Sequence, residues 1–111
     1  MTVSKKVAIK IGDKSKARHL RFDHASLEKL ELASGNTLDW HGQRLQAGSA
    51  IAMSWIVWAG LIHAEPELTR EEVSGMLALP DYMQYAEAIA EAQRVAFGKP
   101  EAAKGNEPAA T

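Results

Sequence analysis

Between residues 50 and 64 the chain is apolar except at Ser54 and His63, and this stretch restricts every other part of the fold. A helix that spans a bilayer needs about 18–20 such residues. The segment therefore predicts a buried helix, capped by Ser49 and running to about residue 63. Ile51, Trp55, Trp58 and Ile62 share one apolar stripe at helical spacing. Ala52, Met53, Ile56, Val57, Ala59 and Leu61 fill much of the remaining circumference. A helix apolar nearly all round must be covered on several sides. A chain of 111 residues has room for one domain. The helix is then either the centre of its core or a surface that partly meets another chain.

The flanking sequence predicts an α+β domain over residues 1–98. Val7, Ile9 and Ile11 alternate with Ala8 and Lys10, the period of a half-buried strand. Turn residues 12–15 follow, then Arg18, Leu20 and Phe22 on one side of a second strand, giving a hairpin over residues 5–22. Asp23 is placed to cap a helix over 24–34, with Phe22 and Leu27 as a hydrophobic staple and Gly35 as its stop. Residues 36–48 read as a connection anchored by Leu38, Trp40 and Leu45; whether residues 38–40 make a helical turn stays open. Thr69-Arg70-Glu71-Glu72 is a capping box for a helix over 70–78. Leu79-Pro80 stops it, and Asp81 offers a cap for a last helix over 82–97. Residues 99–111 hold no large apolar side chain and are expected to be a flexible tail.

Charge is divided unevenly. Residues 1–21 carry Lys5, Lys6, Lys10, Lys14, Lys16, Arg18 and Arg21 against Asp13, a balance of +6, while the remainder carries −7. A solvated ribbon with a lysine-rich outer face, guarding an exposed sheet edge, accounts for this. A basic arm for nucleic acid or an acidic partner is the rival, weakened by the lack of interleaved aromatic residues. Residues 1–21 lack the continuous apolar region of a signal peptide, and the chain has no cysteine, which fits a reducing compartment.

A search for chemistry returns little. His19, His24, His41 and His63 do not fall at the spacing that puts two metal ligands on one helical face. Adjacent Glu71 and Glu72 diverge by about 100° on a helix and cannot converge on one substrate. Ser54 lies inside an apolar helix, where its hydroxyl is expected to bond back to a carbonyl. Gly42 and Gly48 are isolated and form no phosphate-binding loop. No catalytic residue, cofactor or metal is expected. What is left is aromatic and apolar surface, drawn from Trp40, Trp55, Trp58, Tyr82 and Tyr85 where these are exposed.

The segment Trp58-Ala59-Gly60-Leu61-Ile62-His63-Ala64-Glu65-Pro66-Glu67-Leu68-Thr69-Arg70-Glu71-Glu72-Val73 resembles the small tail assembly chaperones of long-tailed bacteriophages and related prophages or gene transfer agents. Members similar to this chain also open with a hairpin leading into a Phe and a Leu-Glu-x-Leu helix, compare Phe22 and Leu27-Glu28-Lys29-Leu30. They close with an Ala/Glu-rich helix and a polar tail. The resemblance implies a non-enzymatic protein of the bacterial host cytoplasm, absent from the mature virion. It would bind the tape measure protein, keep it soluble and help recruit tail tube subunits. No membrane partner is implied, nucleic acid is disfavoured, and a homo-oligomer is compatible. Leu77, Leu79, Tyr82, Met83 and Tyr85, around the Leu79-Pro80 break, are the expected client-binding residues, in a groove between two short helices. The alternative is a small DNA-binding regulator using residues 69–97 as a helix-turn-helix. Only Arg70 and Arg94 there face Glu71, Glu72, Asp81, Glu87 and Glu91, a balance that phosphates would repel.

Overall fold

A computed structural model describes residues 7–12 and 16–98. Strand β1 (Val7–Ile9) pairs antiparallel with β2 (Arg18–Leu20), in the register Val7 to Leu20, Ala8 to His19 and Ile9 to Arg18. Five helices follow: α1 (His24–Ser34), α2 (Leu38–Gln46), α3 (Ala50–Leu61), α4 (Arg70–Met76) and, after a 3₁₀ turn at Leu79–Asp81, α5 (Tyr82–Phe97). This is the expected α+β architecture, with one helix more than the sequence suggested. The expected start of the hairpin at residues 5 and 6, its turn at 13–15 and the tail at 99–111 lie outside the described residues.

Local signals set most boundaries. Asp23 accepts from the backbone of Ser26 at 2.9 Å while the Ser26 hydroxyl accepts from the backbone of Asp23, closing a capping box. Gly35 ends α1 in the left-handed conformation at φ 81°, which any β-carbon would oppose. Ser49 caps α3 through the backbone of Ala52, and Thr69 and Glu72 form the second box. Three ends differ from expectation. Helix α3 closes at Leu61 rather than near residue 63. Helix α4 stops at Met76 rather than 78, because the Met76 carbonyl leaves the helix to accept from the backbone of Gly12 at 3.2 Å. The Asp81 side chain makes no capping bond to α5; the 3₁₀ turn feeds the chain directly into that helix.

Helix α3 is the centre of the core. It packs against α1, α2, α4, α5 and β2, which is how a helix apolar on all sides is accommodated in a small protein. Its buried residues are Ala52, Met53, Ser54, Ile56, Val57, Ala59, Gly60 and Leu61. Three of the four residues of the stripe singled out from the sequence are the less buried ones: Ile51 is 65% exposed and Trp55 and Trp58 are half-buried, while Ile62 is buried. Large aromatics occupy the seams between α3 and its neighbours, where Trp58 Nε1 donates to the Leu68 carbonyl at 2.8 Å. Aliphatic and small residues face inward. At Gly60 a β-carbon would lie 2.7 Å from Leu20 Cδ2 and 3.3 Å from Phe22 Cζ, so the glycine is what lets β2 reach the helix. Ser54 bonds back to the Ala50 carbonyl at 3.2 Å, as expected.

Both outer edges of the hairpin are used within the fold. On β1 the Gln84 amide takes the backbone of Lys10 at both ends, accepting from its N–H at 2.8 Å and donating to its carbonyl at 3.2 Å. On β2 the Arg21 N–H donates to the Gly60 carbonyl at 2.9 Å, and His63 Nε2 donates to the His19 carbonyl at 2.9 Å. Edge groups that would otherwise template another strand are thereby satisfied.

Helix α2 replaces the connection expected at residues 36–48. Thr37 caps it through the backbone of Trp40 at 3.1 Å, and His41 is its only buried residue.

Candidate partner-binding surface

The five residues expected to bind a client divide into three groups. Tyr85 does not belong to an accessible surface: it is fully buried, and its hydroxyl accepts from the backbone N–H of Ala78 at 2.9 Å. The reason is geometric. Position 85 lies one helical turn inside α5 on the face turned to the core, alongside Ala88, Ile89 and Ala92. Leu77 and Tyr82 are half-buried and pack against that core. Leu79 and Met83 are the accessible pair, 76% and 72% exposed, on the 3₁₀ turn and the first turn of α5. They lie four positions apart, on either side of the step from the 3₁₀ turn into α5.

Concave surface lies elsewhere. A depression of about 320 Å³ between α2 and α5 is lined by Leu38, Gln43, Gln46, Gln93 and Phe97, with Asp39 and Gly42 at its side. A shallower one is bordered by Glu65, Pro66, Glu67, Leu68 and Glu72. Phe97, Leu32 and Ile51 are further exposed apolar side chains, at 66%, 86% and 65%.

The basic N-terminal segment is not simply a solvated ribbon. The Arg18 side chain is only 9% exposed, and its Nε lies 3.0 Å from Glu65 Oε2. Its guanidinium also donates to the Ile11 carbonyl at 3.3 Å, and Lys16 Nζ reaches Glu65 Oε1 at 3.3 Å. The hydrogen bond from Arg18, reinforced by Lys16, holds the Glu65 carboxyl below the usual carboxylate range. Two of the N-terminal bases therefore fasten the hairpin to the turn after α3.

The sequence missed a row of aromatic rings. Trp40 meets His41 edge-on at 5.1 Å, His41 lies 6.2 Å from Trp55, and Trp55 meets Trp58 edge-on at 5.6 Å. Arg44 stacks over Trp40 at 4.6 Å and Arg70 lies 5.4 Å from the Trp55 ring. His41 is 2% exposed and its Nε2 is 2.8 Å from the Ser34 hydroxyl. Burial pushes its pKa below the ordinary histidine value. The signal in the sequence was Thr37, a cap three residues ahead of Trp40.

The carboxylates with helical neighbours serve structure: Glu72 closes the α4 capping box and Glu71 pairs with Arg70. Among the described residues, no three His, Asp or Glu side chains gather as a metal site, and no helix is long and apolar enough to cross a membrane. No protein-family model, curated protein or solved structure matches this chain.

Proposed function

We propose that this chain is a non-enzymatic tail assembly chaperone of a long-tailed bacteriophage or related element. It binds the tape measure protein, keeps that client soluble in the host cytoplasm and helps bring tail tube subunits to it, without entering the mature virion. The observation that carries the reading is the exposed Leu79–Met83 pair at the α4–α5 junction. Two exposed apolar side chains on a turn and helix start suit contact with an apolar helical client. The motif resemblance from Trp58 to Val73 supports the same assignment.

The DNA-binding alternative gains nothing here. Arg70 pairs with Glu71 and Arg94 with Glu91, so the two bases of the α4–α5 segment are already neutralised.

The test begins with the DNA downstream of the gene, where an overlapping frame and a very long helical reading frame are expected. Co-expression with that neighbour should keep the long protein soluble. The double substitution Leu79→Ser with Met83→Ser should abolish the effect while leaving the chaperone folded. Undiminished client recovery with the folded variant would overturn the assignment of this surface, and unrelated neighbours would overturn the function.

A further inference from the structure

Helix α2 is attached to the rest of the molecule in an unusual way. His41 is its only fully buried residue, flanked by Leu38 and Leu45, which are half-buried against the core, so an ionisable ring sits at the centre of the contact that fixes it to α1 and α3. The Ser34 hydroxyl donates to the Leu30 carbonyl at 2.7 Å and therefore accepts from His41 Nε2–H. That places a proton on Nε2. Nδ1 is buried with no hydrogen-bond partner. A proton added there would be a buried donor without an acceptor and a charge out of water.

The surroundings offer no compensation. Helix α3 carries no ionisable residue between Ala50 and Leu61. On α1, His24, Glu28, Lys29 and Glu31 are all exposed, and His24 and Glu28 pair with each other. On α2 itself Asp39 binds the Gln43 amide, and Arg44 lies over Trp40. From α4, Arg70 lies over Trp55. The two rings flanking His41 thus each carry a cation already. Glycines stand on both sides of the helix: Gly35 and Gly48 bracket it at φ 81° and 95°, neither with any neighbour where a β-carbon would stand.

We propose that α2 is an acid-released flap: proton uptake by His41 undocks Leu38–Gln46 from α1 and α3 and uncovers Trp55. The sign follows from the direction of the shift. The docked ring binds a proton less readily than the free one, so docking is complete above the ordinary histidine value of 6.5. It weakens as pH falls below that value, about tenfold in the docking equilibrium per pH unit, until the docked ring itself protonates.

The experiment is amide hydrogen exchange of the full chain between pH 7.5 and 5, corrected for intrinsic rates and read segment by segment. Opening of residues 38–46 should rise about tenfold per pH unit below 6.5 while α3 and α5 stay protected. In His41→Phe, which keeps a ring between Trp40 and Trp55, the rise should vanish. Opening of α2 that ignores pH, that runs in step with α3 and α5, or that persists in His41→Phe overturns the proposal. If that variant does not fold, the wild-type imidazole ¹⁵N titration decides. A shared midpoint for His41 and the Trp40 and Trp55 indole resonances sustains the flap, and His41 titrating with unmoved indoles overturns it.

Discussion

Tyr85 and Met83 are two positions apart and differ completely in what their removal should do. Tyr85 is closed off from solvent, so Tyr85→Ala should cost about 3–5 kcal/mol, whereas Tyr85→Phe removes only the bond from Ala78 and should cost about 1 kcal/mol. Met83→Ser lies on open surface and should stay within about 0.5 kcal/mol of the parent. Urea unfolding of the three variants measures all of this. Gly60 gives a sharper residue-scale test. Alanine there would favour the helix by up to about 1 kcal/mol, yet its β-carbon would meet Leu20. Gly60→Ala should therefore destabilise by about 1–3 kcal/mol net. Trimming the offending side chain with Leu20→Val should recover part of that loss, a favourable coupling in a double-mutant cycle. Strictly additive losses would show that β2 and α3 do not meet there as described.

At the scale of elements, what the sequence disclosed and what it withheld have separate physical causes. Caps are local, so the boxes at Asp23 and Thr69 and the stop at Gly35 could be read from a few residues each. Helix α2 was missed because it is short and the middle residue of its inward face, Leu38, His41 and Leu45, is polar. It buries one residue, carries Gly42 in its interior, and its docking residue is a histidine that no hydrophobic periodicity would count. The face of α3 was misjudged for the opposite reason: when every face is apolar, periodicity cannot say which one the neighbours cover. Likewise, helix position alone could not separate buried Tyr85 from exposed Met83 before the packing of α5 on the hairpin was known. The docking of that hairpin supplies the prediction at this scale. Glu65 sits below its ordinary value because Arg18 and Lys16 favour its charged form. A depressed carboxylate stabilises the fold above its unfolded value of about 4.5, and that contribution is lost as pH falls through the folded value. Stability measured from pH 6 to 3 should decline through this region. Glu65→Gln should start lower at pH 6, on the order of 1 kcal/mol given the partial solvation of the pair, and decline less. Parallel pH profiles for the two proteins would remove Glu65 from the account.

For the whole molecule, the central placement of α3 has consequences for how the parts come apart. One buried cluster collects Ile9, Ile11, Leu20 and Phe22 from the hairpin with Leu30, Met53, Ile56, Val73, Tyr85 and Ile89 from the helices. The start of the last helix also meets the first strand, since Gln84 of α5 holds the backbone of Lys10. The opposite charges of the N-terminal segment and the remainder draw together at Arg18, Lys16 and Glu65. No element can leave without exposing apolar area on α3 or on the layer that covers it. At pH 7.5, where His41 is neutral, urea unfolding should therefore be two-state. Far-UV circular dichroism and the fluorescence of Trp40, Trp55 and Trp58 should coincide, with a slope of about 1–2 kcal/mol per molar urea. All three tryptophans lie on α2 and α3, remote in sequence from the hairpin. A hairpin substitution such as Leu20→Ala, expected to cost about 2–5 kcal/mol, should then move the tryptophan transition and the dichroism transition by the same amount. Were the tryptophan signal to hold its midpoint while the dichroism shifted, the hairpin would be an independent unit resting on the helices, and α3 would not be the element that joins them.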